Sequence, residues 1–506
     1  MGTLIIISLE RKFCIFKKGV IQLEEFVTAL NGILWSTPVI YILLGVGLLF
    51  SILTRFLQVR HIKEMVTLMF KGKSSEAGVS SFQALAMALS GRVGTGNIAG
   101  VATAIAFGGP GAVFWMWTIA FIGASSAFIE STLAQIYKVK QDGQYRGGPA
   151  YFIEKGIGWK WFAVLFAFAA LVAMAILMPG VQSNSIAVGM ENAFGIPKAA
   201  TGLVVILLLA FIIFGGVKRI ASTAQLIVPF MALGYIALSL VIILMNITEL
   251  PGVISLIFRS AFALDSAFGG LIGMAISWGV KRGIYSNEAG QGTGPHMAAA
   301  AEVSHPAKQG LVQAFSVYID TLFVCSATAF MILFTGLYNT QAPDGSFIVN
   351  KLEGVEAGPG FTQAAIDSVI PGFGAGFVAI ALFFFAFTTI MAYYYIAETN
   401  IAYLLRGKNN KIPMLILKFI LLAATFYGAV KTAGLAWALG DVGLGLMVWL
   451  NVIAILILAK PALLALKDYE QQKKEGKDPV FDPKALGIKN ADYWETEYKR
   501  DQDQAS

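Results

Sequence analysis

Apolar residues in this chain come in long runs rather than in stripes, and the charged residues are gathered in the short segments between them. A helix needs about 20 apolar residues to cross a hydrocarbon core about 30 Å thick, so each run is predicted to be a membrane span. Eleven are expected, at 35–58, 80–107, 111–137, 161–189, 199–217, 224–246, 267–300, 310–337, 372–405, 413–432 and 436–460. Two of them depart from the pattern. LSGRVGTGNIAG at 89–100 and SWGVKRGIYSNEAGQGTGP at 277–295 place glycines, amides and charges in the interior of spans two and seven.

Composition agrees with a membrane protein, with 57% hydrophobic residues, 13% charged and a mean hydropathy of +0.71. The net charge of +7 is confined to particular segments, so it speaks for topology and against a nucleic-acid partner. Two cysteines, Cys14 and Cys325, and three histidines make neither a disulfide framework nor a metal cage.

Basic residues set the expected orientation. Arg60, Lys63, Lys71 and Lys73 follow span one; Lys138, Lys140, Arg146, Lys155 and Lys160 follow span three; Arg406, Lys408 and Lys411 follow span nine. These segments and the C-terminus are predicted to be cytoplasmic and the N-terminus outside. Arg11, Lys12, Lys17 and Lys18 disagree, which is explained if the natural start lies near Leu23 or Glu24. N-terminal sequencing that found Met1 or Gly2 would overturn that start.

The expected organisation is an extracellular segment at 1–34, a first span at 35–58, two sets of five spans at 80–246 and 267–460, and a charged cytoplasmic tail of helix and flexible end at 461–506. Sets with an odd number of spans must run in opposite senses, as in an inverted repeat. Each set begins with an interrupted span, and paired interruptions point to a transporter's binding site.

Non-helical backbone at bilayer depth must be buried in protein or line a wet cavity. Gly91, Gly94 and Gly96 permit such a break and let a ligand approach the main chain. Free amides where the helix resumes near Asn97 suit a carboxylate. Carbonyls released from about Ser90 to Val93 suit a dehydrated small cation. Gly96 and Gly100 also have the spacing of a helix-packing notch. The glycines fall out of step with a dinucleotide fingerprint and follow no strand.

Arg92, Glu130, Lys281, Arg282, Glu288, Asp320 and Glu398 fall in or beside spans and are expected to pair inside the bundle. Arg92 is expected to act as a gate charge partnered by Glu130 or Glu288, and Asp320 to couple a proton or a second cation. A channel would carry a continuous polar face, whereas polarity here concentrates at two breaks. An intramembrane enzyme would need a catalytic set, and His61, His296 and His305 lie at span ends or in loops.

The strings ALSGRVGTGNIAGVATAIAFGGPGAVFWMW from Ala88, GGPAYFIEKGIG from Gly147, VQSNS from Val181 and WGVKRGIYSNEAGQGTGP from Trp278 resemble signatures of the alanine or glycine:cation symporters of bacteria and archaea. The resemblance spans residues 25 to 465 and implies an all-α bundle of eleven helices, one peripheral and ten in a 5+5 inverted repeat of the LeuT-type fold. It implies sodium-coupled uptake of a small neutral amino acid through the plasma membrane, with sodium as coupling ion and no other cofactor. Proton coupling, or a preference for glutamine or serine, is the alternative.

By the same resemblance, Gly94, Thr95, Gly96 and Asn97 meet the substrate's carboxylate, Gln182 reaches the substrate from span four, and Tyr285 and Tyr393 are its aromatic neighbours. The family pattern can hold tryptophan at the position of Tyr393, which bears on pocket size. Sodium is expected between carbonyls of Ser90 and Val93 and the hydroxyls of Thr388 and Thr389.

Overall fold

The computed structural model describes residues 25–72, 74–262, 264 and 268–498. The expected start near Leu23 or Glu24, and Cys14, lie outside them. Among the described residues, eight helices are long and apolar enough to cross a membrane: Glu25–Leu53, Gly111–Ile136, Lys160–Phe194, Gly216–Met245, Pro306–Thr335, Gly374–Leu404, Lys411–Val430 and Gly434–Ile457. Lys198–Ile213 is a shorter apolar helix of 16 residues. The two polar segments are split, Ser81–Arg92 from Gly96–Gly108 and Ile272–Asn287 from Gly294–Ala300. Phe211, Leu226 and Phe230 are 71%, 77% and 73% exposed. Large apolar side chains turned outward in such numbers suit lipid, and the chain is a multi-pass membrane protein.

Gly111–Ile136 is the central helix, packed against Pro306–Tyr318, Ile272–Asn287 and Thr37–Leu53. Small residues permit the approach. A Cβ added at Gly279 would stand 2.5 Å from the Ala112 carbonyl oxygen, so only glycine lets these backbones close up.

Two expectations are corrected. The protein is mostly helical rather than all-α, since Val139–Gln141 pairs with Gln144–Arg146 and Asn339–Gln341 with Phe347–Asn350 in two antiparallel hairpins. In the first, Asp142 and Gly143 both take positive φ, 54° and 73°, as a two-residue hairpin turn requires. Residues 25–34, for which no conformation was expected, are helical. Asn31 Nδ2 donates to the Ala438 carbonyl at 2.8 Å, and Val27 and Leu34 pack on Val442, so the last span covers this helix. The tail continues past its helix Ala459–Lys474 as packed chain, with Phe481, Tyr493 and Trp494 buried.

Candidate functional site at the two broken helices

The first break begins with a well-formed helix. Ser80 Oγ accepts from the Gln83 amide at 3.2 Å while Gln83 Oε1 accepts from the Ser80 amide at 3.0 Å, which starts Ser81–Arg92. Helical backbone ends at Val93, where ψ is 88°, and resumes as a wide turn at Gly96–Gly100. The freed groups find side-chain partners. Gly94 N donates to Asn97 Oδ1 at 2.8 Å, and Thr95 N donates to Gln182 Oε1 at 3.1 Å. The same Gln182 oxygen accepts from the Thr95 hydroxyl, and Gln182 Nε2 donates to the Tyr393 hydroxyl at 3.3 Å.

Thr389 Oγ1 donates to its own helix at Phe385 O, 2.9 Å, and lies 3.5 Å from the Val93 carbonyl oxygen. A Cβ at Gly94 would stand 2.5 Å from that hydroxyl and 3.1 Å from Gln182 Oε1. Val93, Gly94, Thr95, Gln182, Thr389 and Tyr393 therefore converge, all buried. Gly96 abuts the second broken helix, where an added Cβ would lie 3.3 Å from the Tyr285 ring. That ring lies 5.0 Å from Trp437, and the buried Tyr285 hydroxyl has no hydrogen-bond partner among the described residues.

Other expected members sit elsewhere. Thr388 donates to Phe384 O and Phe385 O, both at 3.0 Å, and turns toward Met231 Sδ at 3.8 Å. Successive residues on a helix point about 100° apart, and here the Thr388 hydroxyl is turned toward Met231 while that of Thr389 is turned toward Val93. Ser90 Oγ bonds back to the Met87 carbonyl at 2.7 Å, leaving its own carbonyl as the group nearer the break. Asn97 reaches away from Gln182. Its Nδ2 donates to Asp320 Oδ1 at 2.6 Å.

Asp320 forms a second cluster. Besides Asn97 it accepts from Ser286 Oγ at 3.0 Å and Thr321 Oγ1 at 2.7 Å, and Cys325 Sγ lies 3.2 Å from Ser286 Oγ. The carboxylate is fully buried on a π-helical turn, Ile319–Cys325, between both broken helices. No lysine, arginine or histidine lies within ion-pair distance of it among the described residues.

The charges pair differently from expectation. Arg92 donates to the Gln313 carbonyl at 3.2 Å and to Ser316 Oγ, and it forms no ion pair with Glu130 or Glu288. Glu130 instead accepts from the amides of Gly290 and Gly292, at 3.2 and 3.1 Å, and from Asn451 Nδ2 at 2.7 Å. The second break leaves amides unpaired in a low-dielectric interior, and a carboxylate is their strongest acceptor. Glu288 adopts a left-handed conformation, φ 55°, and accepts from Thr293 Oγ1 at 2.8 Å. Lys281 and Arg282 share Asp441 at 2.5 and 3.1 Å, and Arg146 pairs with Glu398 at 3.1 Å.

A cavity of about 1370 Å³ opens on the face that carries the 339–350 hairpin. Its floor includes Ala99, Ser185, Arg282 and Trp437. The first three lie three or four residues from Thr95, Gln182 and Tyr285, so the vestibule stops about one helical turn short of the converged groups.

Sequence reasoning gave no place at the site to Ser286, Thr321, Cys325, Asp441 or Asn451. Asp441 and Asn451 stood in the sequence as isolated polar residues in the apolar run 436–460, which is a detectable signal. Ser286 stood inside the interrupted segment 277–295 and Thr321 next to Asp320, which placed them near the site without giving either a role.

A family model described as the sodium:alanine symporter family matches residues 20–483. YrbD of Bacillus subtilis (strain 168), provisionally named a sodium/proton-dependent alanine carrier, is 82% identical and covers 96% of this chain and 100% of its own. The sodium/proton-dependent alanine carrier protein of Bacillus sp. (strain PS3) is 60% identical over 86% of this chain and 98% of its own. The sodium/alanine symporter AgcS of Methanococcus maripaludis is 38% identical over 89% and 98%. The match takes in both broken helices and the Asp320 cluster, and it makes the protein a membrane transporter rather than an enzyme. The chain belongs to the sodium:alanine symporter family.

Proposed function

We propose that this protein couples inward movement of a small neutral amino acid, alanine and/or glycine, to a sodium gradient by alternating access. The observation that carries this reading is the convergence of Val93, Gly94, Thr95, Gln182, Thr389 and Tyr393 on one break. Gln182 Oε1 accepts from the amide and hydroxyl of Thr95, the two donors a substrate carboxylate would use. Gln182 thus stands in for a ligand, and the substrate takes over by displacing it. Tyr285 and Tyr393 wall the space beside Gly96 and Gln182, which favours a side chain as small as a methyl group.

Sodium is held where Thr389 approaches Val93, by main-chain carbonyls of Ser90 and Val93 and the Thr389 hydroxyl. Ion and substrate stabilise the same closed approach of the broken helix to Gly374–Leu404, and that linkage makes uptake concentrative. Asp320 serves a second coupling cation or a proton. The carboxylate's direct hydrogen-bond donors at bilayer depth are all neutral, a setting that suits either role. In this reading the eleven spans are the eight long helices, Lys198–Ile213 and the two split helices, arranged as 35–58 followed by the inverted repeats 80–246 and 267–460. The N-terminus is outside and the tail is in the cytoplasm.

Proteoliposomes test the reading directly. A sodium gradient is expected to drive alanine accumulation, and Thr389→Ala to abolish its sodium dependence. Accumulation that follows a pH gradient and ignores sodium would overturn sodium coupling. Accumulation of glutamine but not alanine would overturn the substrate assignment.

A further inference from the structure

The chain beyond the last span takes no part in the site, and residues after 483 lie beyond the stretch that matches the family. Residues 484–498 are nevertheless built into the protein. Glu470, on Ala459–Lys474, receives Arg55, Arg60 and His61 from the elbow after the first span, at 2.5, 2.8 and 3.0 Å. Asp468 bonds His305 at 3.1 Å, Asp478 pairs with Lys308 at 2.6 Å, and Phe481 N donates to Ser304 O at 3.0 Å. These three contacts fall on the turn between the second broken helix and Pro306–Thr335 and on the first turn of the latter. Farther along, Asp492 pairs with Lys155 at 2.7 Å and Trp494 Nε1 donates to Gln135 O at 2.9 Å.

Lys138 closes the arrangement. Its ammonium is buried, donates to the Ala301 carbonyl at 3.1 Å, and lies 4.4, 4.6 and 5.1 Å from the rings of Tyr145, Tyr493 and Trp494. Two of those rings belong to the tail. A desolvated ammonium enclosed by aromatic faces is among the stronger cation–π settings. One segment therefore ties together the first-span elbow, the 135–155 stretch of the first five-span set and the 301–308 stretch of the second. The vestibule is at the opposite end, since Pro306–Thr335 starts beside the tail and finishes at the 339–350 hairpin.

We propose that residues 459–498 are a conformational strap that holds the tail-bearing face shut and must loosen from Lys138 and His305 before the site opens on that face. The proposal rests on the transporter reading, because alternating access requires the two sets to part at that end. Parting them breaks the contacts that the strap makes to each.

Thiol labelling in nanodiscs tests it without transport, in a Cys14→Ser background. Gln309→Cys reports the tail-bearing face, being buried one turn from Gln313 toward the strap. Val188→Cys, which lines the vestibule, reports the other face. Trp494→Ala, and truncation before Asp492, are expected to raise impermeant-maleimide labelling at Gln309→Cys about threefold or more and to lower it at Val188→Cys, as a shift between two states demands. Unchanged labelling at both reporters in Trp494→Ala protein overturns the strap. Should truncation unfold the protein, Trp494→Ala and Lys138→Gln decide by the same two outcomes. Alanine uptake by unmodified protein is measured separately, and its absence would count against the transporter reading while leaving the labelling result to stand.

Discussion

The two broken helices meet one difficulty, main-chain amides left without partners at bilayer depth, with different chemistry. At the first break, Gly94 N and Thr95 N are satisfied by neutral amide oxygens of Asn97 and Gln182. At the second, Gly290 N and Gly292 N are satisfied by the carboxylate of Glu130, steadied by Asn451. The neutral bonds are weaker and can be exchanged for bonds to a ligand. Charge-assisted bonds in a buried setting are about twice as strong, and losing one partner strands the other. The first break is therefore suited to open and rebind, and the second to stay in place as a wall.

That contrast can be broken or sharpened by substitution. The largest effect is expected at Gly94. Alanine there puts a methyl group 2.5 Å from Thr389 Oγ1, which must turn away from Val93, and sodium-driven uptake should fall about a hundredfold or more. Wild-type uptake by Gly94→Ala would remove the ion from this corner. Next comes Glu130→Gln. Its carboxamide can accept through one oxygen only, so a buried amide is left unpaired at about 1–3 kcal/mol. Maximal uptake should drop about tenfold with little change in KM for alanine, whereas a rise in KM alone would make Glu130 a substrate group.

Gln182→Ala should be milder and of the opposite kind. It removes the stand-in acceptor but leaves the Thr95 donors, so KM is expected to change several-fold while maximal uptake holds within about twofold. A loss of maximal uptake as deep as that of Glu130→Gln would erase the difference between the breaks. The smallest effect belongs to Thr388→Ala, expected to alter sodium dependence by less than about twofold, since its hydroxyl bonds back to Phe384 and Phe385. A sodium requirement raised tenfold would return Thr388 to the ion.

Much of the fold was legible because its signals are local. Apolar runs at 111–137 and 372–405 correspond to Gly111–Ile136 and Gly374–Leu404, and the glycine clusters mark where both broken helices part. The hairpin at 139–146 is equally local, since its Asp-Gly pair is a two-residue turn signal, although the basic charge around it is the more prominent feature of the sequence. The tail after Lys474 misled for the opposite reason. Its composition is that of solvated chain, yet Tyr493 and Trp494 find a buried ammonium to cover.

Pairing inside the bundle was the hardest to foresee. Arg92 and Glu130 stand on neighbouring helices as opposite charges, and attraction alone suggests a pair. The structure gives Glu130 to two glycine amides and to Asn451, 321 residues away. The adjacent Thr388 and Thr389 look equivalent as letters, but helical rotation turns one toward Met231 and the other toward Val93.

The amino-acid sequence by itself determined the membrane class, the long apolar helices, the two interruptions and the family, because hydrophobicity, helix breaking and signature strings are properties of contiguous residues. Tertiary structure decided which hydroxyl faces the first break, which carboxylate carries the second, that Asp320 lies between both broken helices, and that the tail clasps Lys138. Those choices depend on which faces meet across hundreds of residues, and each is settled by whether a buried donor finds an acceptor once the helices have packed.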